Sequence, residues 1–475
     1  MTRTLLFAAL LAGCGRPAAP THVTVASASA TAPRASAAPA PVGLASFDAA
    51  PAAAIAKNDR GVALLAKGRA AEAIAELEGA LSLSPDFVRA RYNLACAYAR
   101  AGDFDKARTA LEIVYEADFV AIRAHADRDD DLAAFWKSAP GRALAARKGE
   151  YEARFAAAIR RGVPATIWID GAGLRGALKP SVLRVGVFDA ATSRFVAVAP
   201  PVKNAIFGYA SSRVPYAVVV TGSVADMLGG DLDAGMTIDA VHVFPLAADG
   251  VEKSIMSAPS VPYSGLLTMG PSGVWLRVHQ SGAAFDGEKG SKYDAVFDGP
   301  FGAPTKRTLH AGNNYPPPPR DHTVSMNVGY NHWGYVVTEN DPSYAYAPQR
   351  HELTLPSHEV IAIPPALAFY EAPARVVPSP SGDRVVLLWN AAVLVCKADE
   401  DIPGAFKMAL VDTASGRVTS LGEGDGAGAA AFDASGELFV QRGKTVVELS
   451  RFGPKPLPPH VQLVPALERD DYCGF

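Results

Sequence analysis

The chain has 475 residues, 49% of them hydrophobic, with 45 lysines and arginines against 48 aspartates and glutamates and a net charge of -3. That apolar content can furnish more than one core, so a largely disordered protein is excluded. The balanced charge, without any Lys/Arg-rich run, supplies no field for nucleic acid, which is excluded as a partner.

The first element is a leader. Arg3 precedes the apolar run Leu5 to Leu11, which is far shorter than the roughly 20 residues a membrane span needs. The following Leu11-Ala12-Gly13-Cys14 resembles the lipobox of bacterial lipoproteins. The resemblance implies cleavage before Cys14, lipidation of its thiol, and a membrane partner reached through that anchor. With Gly15 rather than Asp next in the chain, it implies the outer membrane. The other reading of the leader is ordinary secretion with cleavage elsewhere. Residues 1–14 are thus the expected signal peptide and residues 15–54, almost wholly Ala, Pro, Ser, Thr and Val, a disordered tether that cannot repay its ordering entropy.

Residues 55–162 show a repeat of 34 residues. Gly61, Leu64, Gly68, Ala73, Leu77 and Ala80 return as Ala95, Tyr98, Gly102, Ala107, Leu111 and Val114. Small residues at Gly61, Ala73, Ala95 and Ala107 let helices approach closely, the larger ones fill the seam, and Gly68 and Gly102 make the turns. This spacing resembles the tetratricopeptide repeat. A third offset, at Asp129, Leu132 and Trp136, agrees poorly, and residues from Asp129 to Arg161 are expected to form capping helices. Pro140 is placed to start the last, which covers Ala143 to Ile159 and stops at Gly162. The resemblance implies a concave groove for a protein partner, with Arg89, Tyr92, Asn93 and Cys96 on it. Asn93 matches an asparagine of carboxylate-clamping repeats, but Asn58 and Val62 stand where the other clamp residues belong. The acidic run Asp127, Asp129, Asp130 and Asp131 reads as a solvated helix start.

Residues 163–475 alternate short β-branched runs with turn residues, an all-β texture. Strand ends recur at Val187-Phe188-Asp189, Val243-Phe244-Pro245, Val296-Phe297-Asp298, Leu410-Val411-Asp412 and Val447-Glu448-Leu449, and Ser-Gly turns at Ser272, Ser381 and Ser435. That period fits about six blades around a channel. Val377 to Val385 and Leu410 to Val418 resemble TolB-like, WD40-like propeller blades. A pair of β-sandwiches is the alternative.

Motifs for chemistry fail on context. Gly171-Ala172-Gly173-Leu174-Arg175-Gly176 is followed by Pro180 rather than a helix, so it reads as a loop. His351-Glu352 lacks the second histidine, Leu355 standing there, and Pro356 breaks the helix a zinc protease needs. His310, His322, His332, His351 and His358 show no tight ligand spacing and read as surface-loop residues beside a stiff Pro316 to Pro319 arm. Asp231 and Asp233 lack the glutamate of a calcium loop. Asp294, Asp298 and Asp321 are the nearest candidates for a glycosidase pair and are more simply turn residues. Cys396 and Cys473 are expected to pair as a disulfide in an oxidising compartment.

The expectation is therefore an α + β multidomain chain, a short tetratricopeptide α-solenoid followed by an all-β propeller. It is read as a non-enzymatic scaffold lipoprotein with no catalytic residue, cofactor or metal. An envelope polysaccharide-binding or glycan-processing propeller is the alternative function.

Overall fold

The computed structural model describes residues 50–168 and most of 182–463, and leaves 1–49, 169–181, 225–235, 247–253, 258–264, 281–292, 301–305, 312–318, 332–333, 369–372, 391–404, 426–427, 449–453, 459–460, 464–475 and a few single residues outside the description. Cys14 and nearly all of the tether, the Gly171 to Gly176 loop, Asp231 and Asp233, the start of the proline arm, His332, Cys396 and Cys473 lie outside the described residues. The chain divides into two compact units, Met1–Phe155 and Ala156–Phe475.

In the first unit, α1 (Ala52–Ala66) and α2 (Ala70–Leu83) form one antiparallel hairpin, and α3 (Val88–Ala101) and α4 (Phe104–Ala117) the next. The expected glycines make the turns. Gly68 and Gly102 have φ of +74° and +80°, a left-handed conformation that only glycine adopts without strain. Gly61 serves close packing instead, since a Cβ there would stand 2.6 Å from Leu77 Cγ. Ala73, Ala80, Ala95 and Ala107 are all fully buried between the helices.

Beyond α4 the repeat degenerates. It continues through α5 (Phe119–Ala126), a 3-10 turn (Asp130–Leu132), α6 (Ala133–Lys137), α7 (Ala139–Ala146) and α8 (Lys148–Arg161). Pro140 sits in the first turn of α7, capped by the Ser138 hydroxyl on the Gly141 amide at 3.1 Å. The single helix expected over Ala143 to Ile159 is two, broken at Arg147, whose amide caps α7. The halves bury different partners: Leu144 belongs to α7, which packs on α4, whereas Tyr151 and Phe155 of α8 meet the rings of Tyr115 and Phe119 at 5.6 and 5.3 Å.

The second unit is a series of antiparallel meanders. One runs β5 (Ala205–Ala210), β6 (Tyr216–Val224), β7 (Met236–Pro245), β8 (Ser254–Ser257). Another runs β9 (Gly265–Gly270), β10 (Gly273–Gln280), β11 (Tyr293–Pro300), β12 (Lys306–Ala311). A third runs β18 (Arg375–Pro378), β19 (Arg384–Asn390), β20 (Ala405–Asp412), β21 (Val418–Asp425), and a fourth β22 (Gly428–Phe432), β23 (Leu438–Arg442), β24 (Thr445–Glu448), β25 (Lys455–Pro456). A fifth sheet joins chain ends: β26 (Val461–Leu463) pairs with β1 (Val163–Trp168), then come β2 (Val182–Asp189) and β3 (Arg194–Ala197). The recurrent strand ends fall on β2, β7, β11, β20 and β24, the third strand of each four-strand run, and the turns at Ser381-Gly382 and Ser435-Gly436 join first to second strands, Ser272 lying outside the described residues.

The sheets are not all separate. β13 (Val324–Asn331) pairs with both β9 and β14 (Gly334–Asn340), and β14 makes a short parallel contact with β18, so ten strands form one continuous sheet. A small sheet of β15 (Ala345–Ala347), β16 (Glu352–Thr354) and β17 (Val360–Ala362) is inserted next, and its Leu353 and Ile361 bury with Trp389. Glu352 is thus in a strand beside His351 in a turn, consistent with the failed zincin motif.

The close helix contact is testable. Gly61→Val forces a branched side chain onto Leu77 and is expected to destabilise the helical unit by about 1–3 kcal/mol, read as a lower denaturation midpoint in far-ultraviolet circular dichroism.

Candidate functional site in the helical repeats

α3 carries the residues expected on a binding face. Ten of its positions, Val88, Ala90 and the run Tyr92 to Ala99, are buried, a wider apolar face than one exposed groove wall would have. Tyr92, Asn93 and Cys96 are among them, at 1%, 4% and 0% exposure. Tyr92, Asn93 and Cys96 therefore do not form an open concave surface. The physical reason is the degenerate third repeat, whose irregular turn lies on α3 and covers them.

Each covered residue has a polar partner. The Asn93 amide donates to Asn58 Oδ1 at 2.8 Å, side chain to side chain between the two repeats. Tyr92 Oη donates to Asp129 Oδ2 at 2.6 Å, and Cys96 Sγ lies 3.7 Å from the same oxygen. The Asp131 amide donates to Asp129 Oδ1 at 3.0 Å. His125, its ring 5.4 Å from that of Tyr92, approaches Asp129 Oδ2 with Nε2 at 3.5 Å, too long for a hydrogen bond. Arg100 pairs with Asp131 at 3.0 Å and also reaches the Leu65 carbonyl at 3.3 Å. Cys96 is a reduced thiol.

The acidic run is thus only half solvated. Asp127 and Asp130 are exposed, whereas Asp129 and Asp131 are 8% and 7% exposed. Burial pushes the Asp129 carboxyl up, but the contacts from His125 and Tyr92 and the Asp131 amide outweigh it, holding the group below its ordinary range. No sequence signal separated Asp129 from its neighbours except its offset of 34 residues from Ala95. Arg89 alone of the four expected residues is half-buried rather than buried, its guanidinium 5.5 Å from the Phe87 ring centre.

The β unit offers no comparable cluster among the described residues. His322 is not a surface-loop histidine: it is 4% exposed, with Nδ1 2.8 Å from the Thr268 hydroxyl, and burial lowers its pKa. His351 and His358 both lie at the small inserted sheet, and His310 is in β12. Asp321 is exposed next to His322, and Asp294 and Asp298 lie on β11, opposite His310 and Lys306 of β12. Arg213 bridges to the buried Asp341 and to the Thr323 carbonyl at 3.0 Å. A small, partly open pocket is lined by Pro164, Tyr209, Ser211, Arg213, Pro378 and Phe432 among others.

Asp129→Ala leaves the buried Tyr92 hydroxyl without that acceptor and is expected to cost about 1–3 kcal/mol in the helical unit, measured by chemical denaturation. For His322 the lowered folded pKa means the neutral ring supports the native state. That support is complete above the ordinary value of 6.5 and is lost as pH falls. The β unit should therefore melt progressively earlier as pH falls below about 6.5, and His322→Gln should flatten that slope.

No curated protein matches the chain. Residues 64–126, from the second half of α1 to the end of α5, match the family model of the tetratricopeptide repeat, so the helical unit contains tetratricopeptide repeats and with them a module type associated with protein–protein interaction.

Proposed function

We propose that the chain is a non-enzymatic scaffold lipoprotein of the outer membrane, docking a protein partner on its helical repeats and offering a second surface on a β-propeller. The observation that carries the docking role is the tetratricopeptide match, which runs from the last turn of α1 through α2, α3 and α4 to the end of α5. Because Tyr92, Asn93 and Cys96 are covered by the chain itself, the docking surface is the rim at the α2–α3 turn. There Leu83, 48% exposed, ends α2, and the half-buried Arg89 lies in the first turn of α3, offering an apolar and a cationic contact.

The propeller reading is supported by the phase of the strands. Four meanders of four strands follow in chain order, and a fifth is completed when the C-terminal β26 joins β1, the way a ring of blades is closed. The cavity between Pro164 of β1 and the first strands β5, β18 and β22 is where a central channel would lie. β13 and β14 stand for the remaining blade and depart from the pattern, β13 by pairing with β9 and β14 by pairing with β18. The lipid anchor rests on the Leu11 to Cys14 motif.

Crosslinking in native membranes with mass spectrometry tests the docking role. A protein captured by the parent chain and lost from a Leu83→Glu, Arg89→Glu variant is the expected result; capture unchanged by the double substitution removes the rim as the docking surface. Cys14→Ser is expected to shift the chain from the membrane pellet to the soluble fraction, and retention in the pellet would remove the lipid anchor.

A further inference from the structure

We propose that Cys96, Asp129 and Asp131 form a binding site for a divalent transition-metal ion of zinc type, inside the helical unit and independent of its docking surface. All three are buried, and one donor atom from each lies within 4.8 Å of the others. The donors differ in chemistry and origin, a thiol from α3 and two carboxylates from the irregular turn that follows α5. A thiol with carboxylates is a set that zinc accepts, whereas calcium and magnesium take oxygen alone.

Three further observations point the same way. The first is spacing. Around a tetrahedral zinc ion, bonds of about 2.3 Å to sulfur and 2.1 Å to oxygen set the two ligand atoms about 3.6 Å apart. Cys96 Sγ and Asp129 Oδ2 are 3.7 Å apart. The second is His125 Nε2, a ring nitrogen shut off from solvent that stands 3.5 Å from the same oxygen without a hydrogen bond, where about 3.4 Å is the corresponding nitrogen-to-oxygen edge.

The third is charge. Two buried carboxylates lie beside the Cys96 thiol, and one of them, Asp131, pairs with Arg100 at 3.0 Å. Binding a dication displaces the thiol proton to solvent and sets two positive charges beside the resulting thiolate and both carboxylates. Arg100 and the Tyr92 hydroxyl would hold the two carboxylates from outside the metal, as supporting partners of ligands commonly do.

Cobalt(II), which takes zinc sites and reports a bound thiolate by a near-ultraviolet charge-transfer band, is the probe. In the full chain with Cys14, Cys396 and Cys473 replaced by Ser, Cys96 is the sole thiol. One cobalt ion per chain, with the charge-transfer band and its displacement by zinc, is the expected result; absence of the band there overturns the site. Asp131→Asn in the same background should weaken cobalt binding at least tenfold, and an unchanged affinity likewise overturns it. X-ray absorption of the zinc-loaded protein should show one sulfur at about 2.3 Å, and a shell of oxygen and nitrogen alone contradicts the proposal.

Discussion

A carboxylate can be buried only where donors replace the water it gives up, and Asp129 marks the place in the helical unit where that requirement is met. Its two oxygens collect the Tyr92 hydroxyl and the Asp131 amide, with His125 and Cys96 close by. These partners come from α3, from α5 and from the turn itself. The irregular turn is thereby fixed on the second repeat. Two repeats alone expose a long apolar face, and α3 in particular has more buried positions than its own hairpin can cover. The turn and α6 to α8 complete that burial, with the aromatic pairs Tyr115–Tyr151 and Phe119–Phe155 extending it. What makes the unit stable also closes the surface that such repeats ordinarily present.

In the β unit a repeated local device organises the meanders. Asp189, Asp341, Asp412 and Asp433 each follow or end a strand and accept from a Ser or Thr two or three residues on, at 2.8 Å for Asp189, 2.7 Å for Asp412 and Asp433, with Ser343 as the Asp341 partner. The side chain stands in for backbone acceptors at the turn, so the chain can reverse without leaving amides bare. Positive φ at Gly416 and Gly436 completes two of these reversals. Beyond the turns, packing decides: Trp389 and Phe406 bury between neighbouring layers, and Arg213 reaches across more than a hundred residues to Asp341.

Much of this was legible in the sequence because it rests on local rules. Six positions at one offset located both hairpins, since close helix packing needs small residues in fixed register, and Gly68 and Gly102 are where the turns occur. The recurring strand ends located the third strand of five four-strand runs, since strand length and turn chemistry repeat together. The candidate site was not legible in the same way. Asp127, Asp129, Asp130 and Asp131 look alike along the chain, and only two are buried. His322 looked like its exposed neighbours and is enclosed by Thr268 from a strand more than fifty residues away.

The amino-acid order by itself determined the helical repeat, the all-β texture after it and the phase of the strands, because periodicity and turn residues act over a few residues. Only the tertiary structure decided that the break at Arg147 divides one predicted helix, that β13 joins β9, and that Tyr92, Asn93 and Cys96 face Asp129 and Asn58 instead of a partner. Those outcomes depend on which distant surface covers each face, and the burial of a polar side chain follows from the donors that this covering brings, not from its neighbours in sequence.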